Sequence, residues 1–568
     1  MNITKPVDDI VKQMKDMFMP NYEKGMKKEE PFRSELYSNT QMKEHGVRVA
    51  KAHQVVKEKQ PDKLLSRLDG NEESILMVHN VLVESVKDNM PIAPASEWFL
   101  DNFYLIKEQI LLARKHLPKE YSQTLPILAK GKSKGLPRVY DIALEIISHN
   151  DGRVDVANVT TFINAYQTIT RLTLGELWAI PIMLRLGIIE NIRRIGSHIA
   201  ADGVDKNLAA DWANQFLETS QKKTSDVIIV LAEMSKSHID LTSAFVAEFT
   251  RRLQGKGQNL AMPLTLLEQT LNERSLTSEE LIILENQKQA AHQVSIHNSI
   301  ESIRLIKTTN WRDFVESVSV VESILATDIG GIYGEMDFFT RDRYRHVVEW
   351  ASKKSGKPEH EIAQIAINLA KEAAAEGKPQ RQHHVGYFLI DDAGKNELVK
   401  KAGFYFSIAD KVKAVLKYNR ILSYAGSVML FTYVLSILAA FFVWHDGQPL
   451  WLAVIAGVLS FIAFSQLFTV LVNWVSTILV SPRPLPKMNY SDGIPKEYST
   501  LVAVPCMLTS AAGIQELVEE LEVRYLANPE ENLFFALLTD FADGSKEKMP
   551  GDESLLVHAK QLIEDLNT

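Results

Sequence analysis

The stretch ILSYAGSVMLFTYVLSILAAFFVW, Ile421 to Trp444, carries no charged side chain over 24 residues. As a helix it is long enough to cross the ~30 Å hydrocarbon core of a bilayer. A polar turn follows, His445-Asp446-Gly447-Gln448-Pro449, and then a second uncharged run of 31 residues from Leu450 to Val480. That arm can span with tilt or continue past the interface. A single apolar run is readily explained as the buried helix of a soluble core. Two in tandem, joined by a short turn, argue for a transmembrane hairpin over 421–480, with arms at 421–444 and 450–480.

The charges around the hairpin orient it. Lys411, Lys413, Lys417 and Arg420 precede the first arm, Arg483, Lys487 and Lys496 follow the second, and the turn holds no Lys or Arg. By the positive-inside rule both flanks face the cytoplasm and the turn faces outward. Trp444, Trp451 and Trp474 lie near the span ends, where indole rings favour the interface. The remaining chain reads as soluble: mean hydropathy over all 568 residues is only −0.09. A net charge of −8 without a basic stripe excludes nucleic acid as a main partner. The single cysteine, Cys506, excludes both an internal disulfide framework and a CxxC metal site. The N-terminus, MNITKPVDDIVKQMKDMF, lacks the apolar core of a secretory signal.

Residues 1–62 read as a polar, lysine-rich, loosely ordered lead-in, and 63–400 as one α-helical cytoplasmic domain. Glu73–Val86 and Phe99–Leu117 repeat apolar residues at three- and four-residue spacing. Pro118, Pro126 and Pro137 break the next stretch into turns. Further helices are expected over Val159–Ile195, interrupted at Pro181, over Thr224–Leu253 and over Leu281–Ile306. Thr277 with Glu280 has capping-box spacing, and Asn310 with Asp313 offers a similar start. Val385–Ile390 reads as a short strand, with Asp391–Gly394 a turn. Phe404–Arg420 suits an interfacial amphipathic helix, within a juxtamembrane segment at 401–420.

Three features of this region invite a functional reading. Gly131-Lys132-Ser133 resembles the end of a phosphate loop, but Pro126 stands where the pattern needs glycine and no hydrophobic strand leads in. His383-His384 has no HExxH context, so a solvated or hydrogen-bonded pair is expected. Glu176 and Trp178 have the composition of a sugar-stacking pair, but a helix packing its Trp into the core is the expected reading, and none of the three features carries a function on physical grounds.

After a proline-rich linker at 481–499, the pattern changes to α/β. Ser499–Pro505 reads as a buried strand. A small-residue turn at Thr509–Gly513 leads to a helix with Ile514, Leu517, Val518 and Leu521 on one face. Asn532–Thr539 is a second strand, ending at Asp540. Ligands of such parallel β-α-β units sit beyond the carboxyl ends of the strands, where Asp540 and Asp543 lie. A strand-end Asp suits the base and ribose of a nucleotide donor; capping of the following turn is the alternative. Cys506 is expected to be a buried, inert thiol.

At this point the residues resemble a known family. Ser499–Asp543, STLVAVPCMLTSAAGIQELVEELEVRYLANPEENLFFALLTDFAD, is similar to the opening of the glycosyltransferase domain of cyclic β-1,2-glucan synthases. SEWFLDNFYLIKEQ (96–109), LPRVYDIALEIISHNDGRVD (136–155), LTLGELWAIPIMLRLGIIENIRR (172–194), GIYGEMDFFTRDRYRHVVE (331–349) and HHVGYFLID (383–391) resemble that family's N-terminal region, in the same order. The resemblance implies a multi-pass enzyme of the bacterial inner membrane that transfers glucose from UDP-glucose to a growing β-1,2-glucan. It implies a GT-A fold, inversion in one displacement, a divalent cation (Mg or Mn) on the diphosphate and a carboxylate base on the acceptor. A later phosphorylase-like region that controls chain length belongs to the same polypeptide in the family.

The fold class expected is thus mainly α: a large helical domain, a transmembrane hairpin, and at 500–568 the β-α-β start of a GT-A domain. Asp540 and, less directly, Asp543 carry over as donor-nucleotide positions, with no catalytic or metal residue assigned. The sequence departs from the family by ending about 30 residues after Asp540, before an acidic metal motif, a base or an acceptor motif. The expectation is a membrane-anchoring N-terminal portion without transferase activity alone. The alternative is a membrane-anchored helical scaffold that complements a separately encoded catalytic remainder. In a Cys506→Ser background, a membrane-impermeant maleimide should label Gln448→Cys in intact spheroplasts and Lys496→Cys only after lysis. Labelling of Lys496→Cys before lysis would invert this topology.

Overall fold

A computed structural model of the chain describes residues 29–56, 61–87, 90, 92–118, 121–237, 239–405, 419–479, 484–546 and 548–568. They form two compact units, Met1–Ser323 and Ile324–Thr568. In the first unit, helices α1 (Asn39–Ala52), α2 (Leu64–Lys87), α3 (Pro94–Asp101), α4 (Phe103–His116), α5 (Arg138–Ser148) and α6 (Val156–Gln167) precede α7 (Leu174–Lys222). After α7 come α8 (Val227–Lys236), α9 (Ser243–Leu253), α10 (Ala261–Asn272), α11 (Ser278–Thr308) and α12 (Trp311–Val318). Strands β1 (Val55–Val56) and β2 (Ile127–Leu128) form a two-residue antiparallel ladder.

Helix α7, 49 residues long, is the axis of this unit. It starts at a capping box in which Thr173 accepts from the Glu176 amide and Glu176 accepts from the Thr173 amide. Pro181 lies inside it and does not interrupt it, contrary to the sequence expectation. A proline in a helix interior costs about 3 kcal/mol, but Leu177, Ile180, Leu184 and Ile188 around it are fully buried. Each such side chain contributes about 1.5–3 kcal/mol, so packing outweighs the lost hydrogen bond. The break within 159–195 falls instead at 168–173, where the cap resets the chain.

Other expectations shift in the same manner. The lead-in at 1–62 holds the ordered helix α1, capped by a Ser38/Gln41 box, with Met42, Val49 and Ala50 buried. Its lysines hid the apolar face. The 99–117 run divides at Asn102, whose side chain donates to Trp98 O at 3.0 Å and accepts from Arg304 at 2.7 Å. The 224–253 run divides before Thr242, which caps α9 by accepting from Phe245 N. The Thr277/Glu280 box does start α11, and Asn310 caps α12.

A short helix α13 (Val320–Leu325) leads to the second unit, where α14 (Phe338–Ser355), α15 (Glu359–Ala375), α16 (Val385–Ile390) and α17 (Asp392–Ala402) pack together. The expected strand at 385–390 is therefore a helix. Asp328 accepts from the Val385 amide at 2.8 Å, and Val385, Phe388 and Leu389 are buried at i, i+3, i+4 spacing. The expected turn at 391–394 is likewise helical, with Asp391 capping α17. The juxtamembrane amphipathic stretch lies mostly outside the described residues, as does Pro482. The hairpin forms as α18 (Arg420–His445) and α19 (Leu450–Leu479), packed along one another, with Gly457 close against Ala440. Both helices are long and apolar enough to cross a membrane, and only 11% and 6% of their most apolar stretches is buried in the fold. A soluble core helix would be mostly buried.

The first unit also contains a buried ionic hub. Glu190 of α7 accepts from Arg67 Nη2 at 2.5 Å and Nε at 2.6 Å, from Tyr140 Oη at 2.6 Å and from Arg194 at 2.7 Å. Burial alone would raise its pKa, but the hydrogen bonds and charge of Arg67, with Tyr140 and Arg194, outweigh it and hold the carboxyl at about 2. A folded-state pKa below the ordinary 4.5 gives stability that is full above that value and is lost as pH falls toward 2. Glu190→Gln leaves two guanidinium groups short of an anion and should cost about 3–5 kcal/mol. Thermal melts should show a lower midpoint at pH 7 and a weaker loss of stability between pH 4.5 and 2 than wild type.

Candidate functional site

Downstream of the hairpin the chain runs extended and is pinned to the start of α14. Pro484 O accepts from Arg343 at 2.7 Å, Lys487 N donates to Thr340 Oγ1 at 3.0 Å, and Lys487 O accepts from Asp337 N at 2.9 Å. Asn489 N then donates to Glu335 O at 2.7 Å. Pro484 thus belongs to a docked connector. The block GIYGEMDFFTRDRYRHVVE supplies the docking groups, a role that sequence reading missed because the partner lies more than a hundred residues away.

The connector feeds β3 (Thr500–Leu508), which crosses through α20 (Ala511–Ala527) to β4 (Leu533–Phe541); α21 (Asp552–Asn567) follows. The two strands pair in parallel, with Met507 opposite Asp540 and Leu508 opposite Phe541. Ser510 caps α20 by accepting from Gly513 N at 3.1 Å. Leu508, Ile514 and Ala559 form a small core with Phe541 and Leu555 packed on it. Leu501, Met507, Phe534 and Leu538 are exposed on the other face of the pair. Parallel sheets ordinarily have both faces covered. Here one is open.

Asp540 is exposed at the carboxyl end of β4, as the sequence pattern placed it, and its Oδ1 accepts from Phe541 N at 2.8 Å. That bond stays within β4 and caps no following turn, and the residue is exposed to solvent. Asp543 is exposed in the loop just beyond. Among the described residues no group of three His, Cys, Asp or Glu ligands includes either aspartate. Cys506 is half-buried, and burial pushes its thiol pKa up, which suits an unreactive sulfur.

The other singled-out residues have structural partners. Gly131–Ser133 form a turn between the two-residue β2 and α5, with Gly131 at φ +94°. His383 Nε2 bonds Lys378 O at 2.7 Å, while His384 Nδ1 bonds the buried Asp328 at 2.6 Å, so the histidines do not converge. Glu176 is fully buried, with Oε2 accepting from Arg138 Nη2 at 2.7 Å. Trp178 packs on the core. Glu176 and Trp178 are thus structural.

No family model matches the chain. It is 31% identical over 512 residues to the cyclic β-(1,2)-glucan synthase NdvB of Rhizobium meliloti (strain 1021). The matched region belongs to the cyclic β-1,2-glucan synthase family. That stretch takes in 89% of this chain, and the chain spans 18% of the relative's length. The open sheet face and the exposed strand-end aspartates thus belong to a glucan synthase-related protein.

Proposed function

We propose that this chain is the membrane-anchoring, donor-side portion of a cyclic β-1,2-glucan synthase. Its hairpin sits in the bacterial inner membrane with both flanks cytoplasmic, and its β-α-β unit is the opening of a GT-A domain that receives UDP-glucose. The observation that carries this reading is the parallel β3–β4 pair with Asp540 at its carboxyl end, immediately after a connector tied to α14. Asp540 contacts the uracil or ribose of the donor, with Asp543 beside it. Glucosyl transfer to the growing β-glucan requires further groups: a carboxylate base, and ligands for a Mg or Mn ion on the diphosphate. The residues at the strand ends do not provide these.

A second reading is favoured by the open face bearing Leu501, Phe534 and Leu538. In it the chain is a membrane-anchored scaffold whose sheet is completed by a separately encoded polypeptide. Both readings place UDP-glucose at the same strand ends.

The purified full chain, titrated with UDP-glucose and Mn, should bind the nucleotide, and Asp540→Asn should weaken binding about 10-fold, as loss of one charged hydrogen bond does. The same preparation should form no labelled β-1,2-glucan. Glucan synthesis would overturn the requirement for further groups, and unaltered UDP affinity in Asp540→Asn would overturn the donor role.

A further inference from the structure

Away from the strand ends, three side chains of metal-ligating type converge in the first unit. His45 comes from α1, Glu145 from the last turn of α5, and His149 from the residue that ends α5. One ligand atom from each lies within 4.8 Å of the others. His45 Nε2 is 2.8 Å from Glu145 Oε2, and His149 Nε2 is 3.6 Å from the same oxygen. Tetrahedral zinc with bonds of about 2.0–2.1 Å sets its ligand atoms roughly 3.3 Å apart, so only small adjustments separate this cluster from a coordination shell.

The surroundings prepare the ligands. His149 Nδ1 lies 2.8 Å from Glu35 O. A carbonyl only accepts, so Nδ1 carries the proton and Nε2 offers its lone pair to the cluster. This is the outer-shell bond that fixes the tautomer of zinc-bound histidines. Tyr37 stacks on the His149 ring at 3.9 Å, and Phe162 sets its edge against His45 at 5.9 Å, so both rings are held in place. The imidazoles are 12% and 11% exposed and Glu145 35%. The site is therefore sheltered on the histidine side and open to water on the carboxylate side.

One group opposes a cation. Arg48 Nη2 is 3.2 Å from His45 Nδ1. Guanidinium only donates, so Nδ1 accepts and the His45 proton resides on Nε2, directed at Glu145. Metal entry moves that proton to Nδ1 and turns the exposed Arg48 away, without net change in protonation.

We propose that His45, Glu145 and His149 form a zinc site that clasps the N-terminal helix α1 to α5, with water as the fourth ligand and Arg48 as a brake on occupancy. Two imidazoles and one carboxylate are a ligand set that suits zinc over magnesium or calcium. This inference does not rest on the donor-site reading.

The test uses the full chain without a polyhistidine tag, stripped with chelator and titrated with cobalt(II), then with zinc. One cobalt per chain should give the intense visible bands of a four-coordinate ion, and zinc should displace it. His149→Ala should weaken binding at least ~100-fold, exceeding the loss typical of outer-shell changes. Glu145→Gln, which preserves shape, should weaken it in the same direction if His149→Ala does not fold. Arg48→Ala should tighten binding, a change that damage to the fold cannot mimic. Binding that persists undiminished in Glu145→Gln, or no binding in either wild type or Arg48→Ala, would overturn the proposal.

Discussion

An apolar helix with its side chains turned outward has to be removed from water, and the second unit is built around that constraint. Ile421, Leu422, Leu430, Phe431, Ile437 and Phe442 on α18 are each at least half exposed, and α19 adds Leu450, Leu459, Ile462 and Val470. At about 1.5–3 kcal/mol for each side chain, leaving ten of them in water forfeits on the order of 20 kcal/mol. That exceeds the ~5–15 kcal/mol by which a domain is typically stable. A bilayer removes the cost, because the hydrogen bonds of both helices are internal and no backbone group needs water within the spans. Tyr424 Oη, which donates to Asn473 Oδ1 at 2.8 Å, links the two arms.

Anchoring has a consequence for the strands that follow. The connector at 484–489 is fixed by main-chain bonds with Glu335 and Asp337, by a bond from the Arg343 side chain and by a bond to the Thr340 hydroxyl. A β-α-β unit starting at Thr500 thereby begins eleven residues after the last docked residue, Asn489. The strand ends carrying Asp540 belong to this tethered unit.

Much of this was legible in the residues, and the reasons differ by element. Helices α18 and α19 coincide with the uncharged runs because flanking charges and a polar turn, visible in the residues, delimit them. The parallel pair was legible because two apolar runs flank an amphipathic helix. Val385–Ile390 was not, since a six-residue apolar run fits strand and helix alike, and the group that decides it, Asp328, lies 57 residues away. Pro181 misled because local propensity is weak beside the packing of α7. At the candidate site, Asp540 was legible as a strand-end residue, whereas the open face beside it emerges only from the register of β3 on β4. Glu145 and His149 show their i, i+4 spacing in sequence, but nothing local announces His45 as a third ligand.

The central claim is that nucleotide donor binds at the carboxyl ends of β3 and β4 in a membrane-held chain. Photocrosslinking of an azido-UDP-glucose to the full chain in lipid nanodiscs, followed by peptide mapping, tests it most directly. The account predicts label within 508–513 or 540–544, competed away by UDP. Label confined to the helical region, or undiminished by UDP, would contradict it.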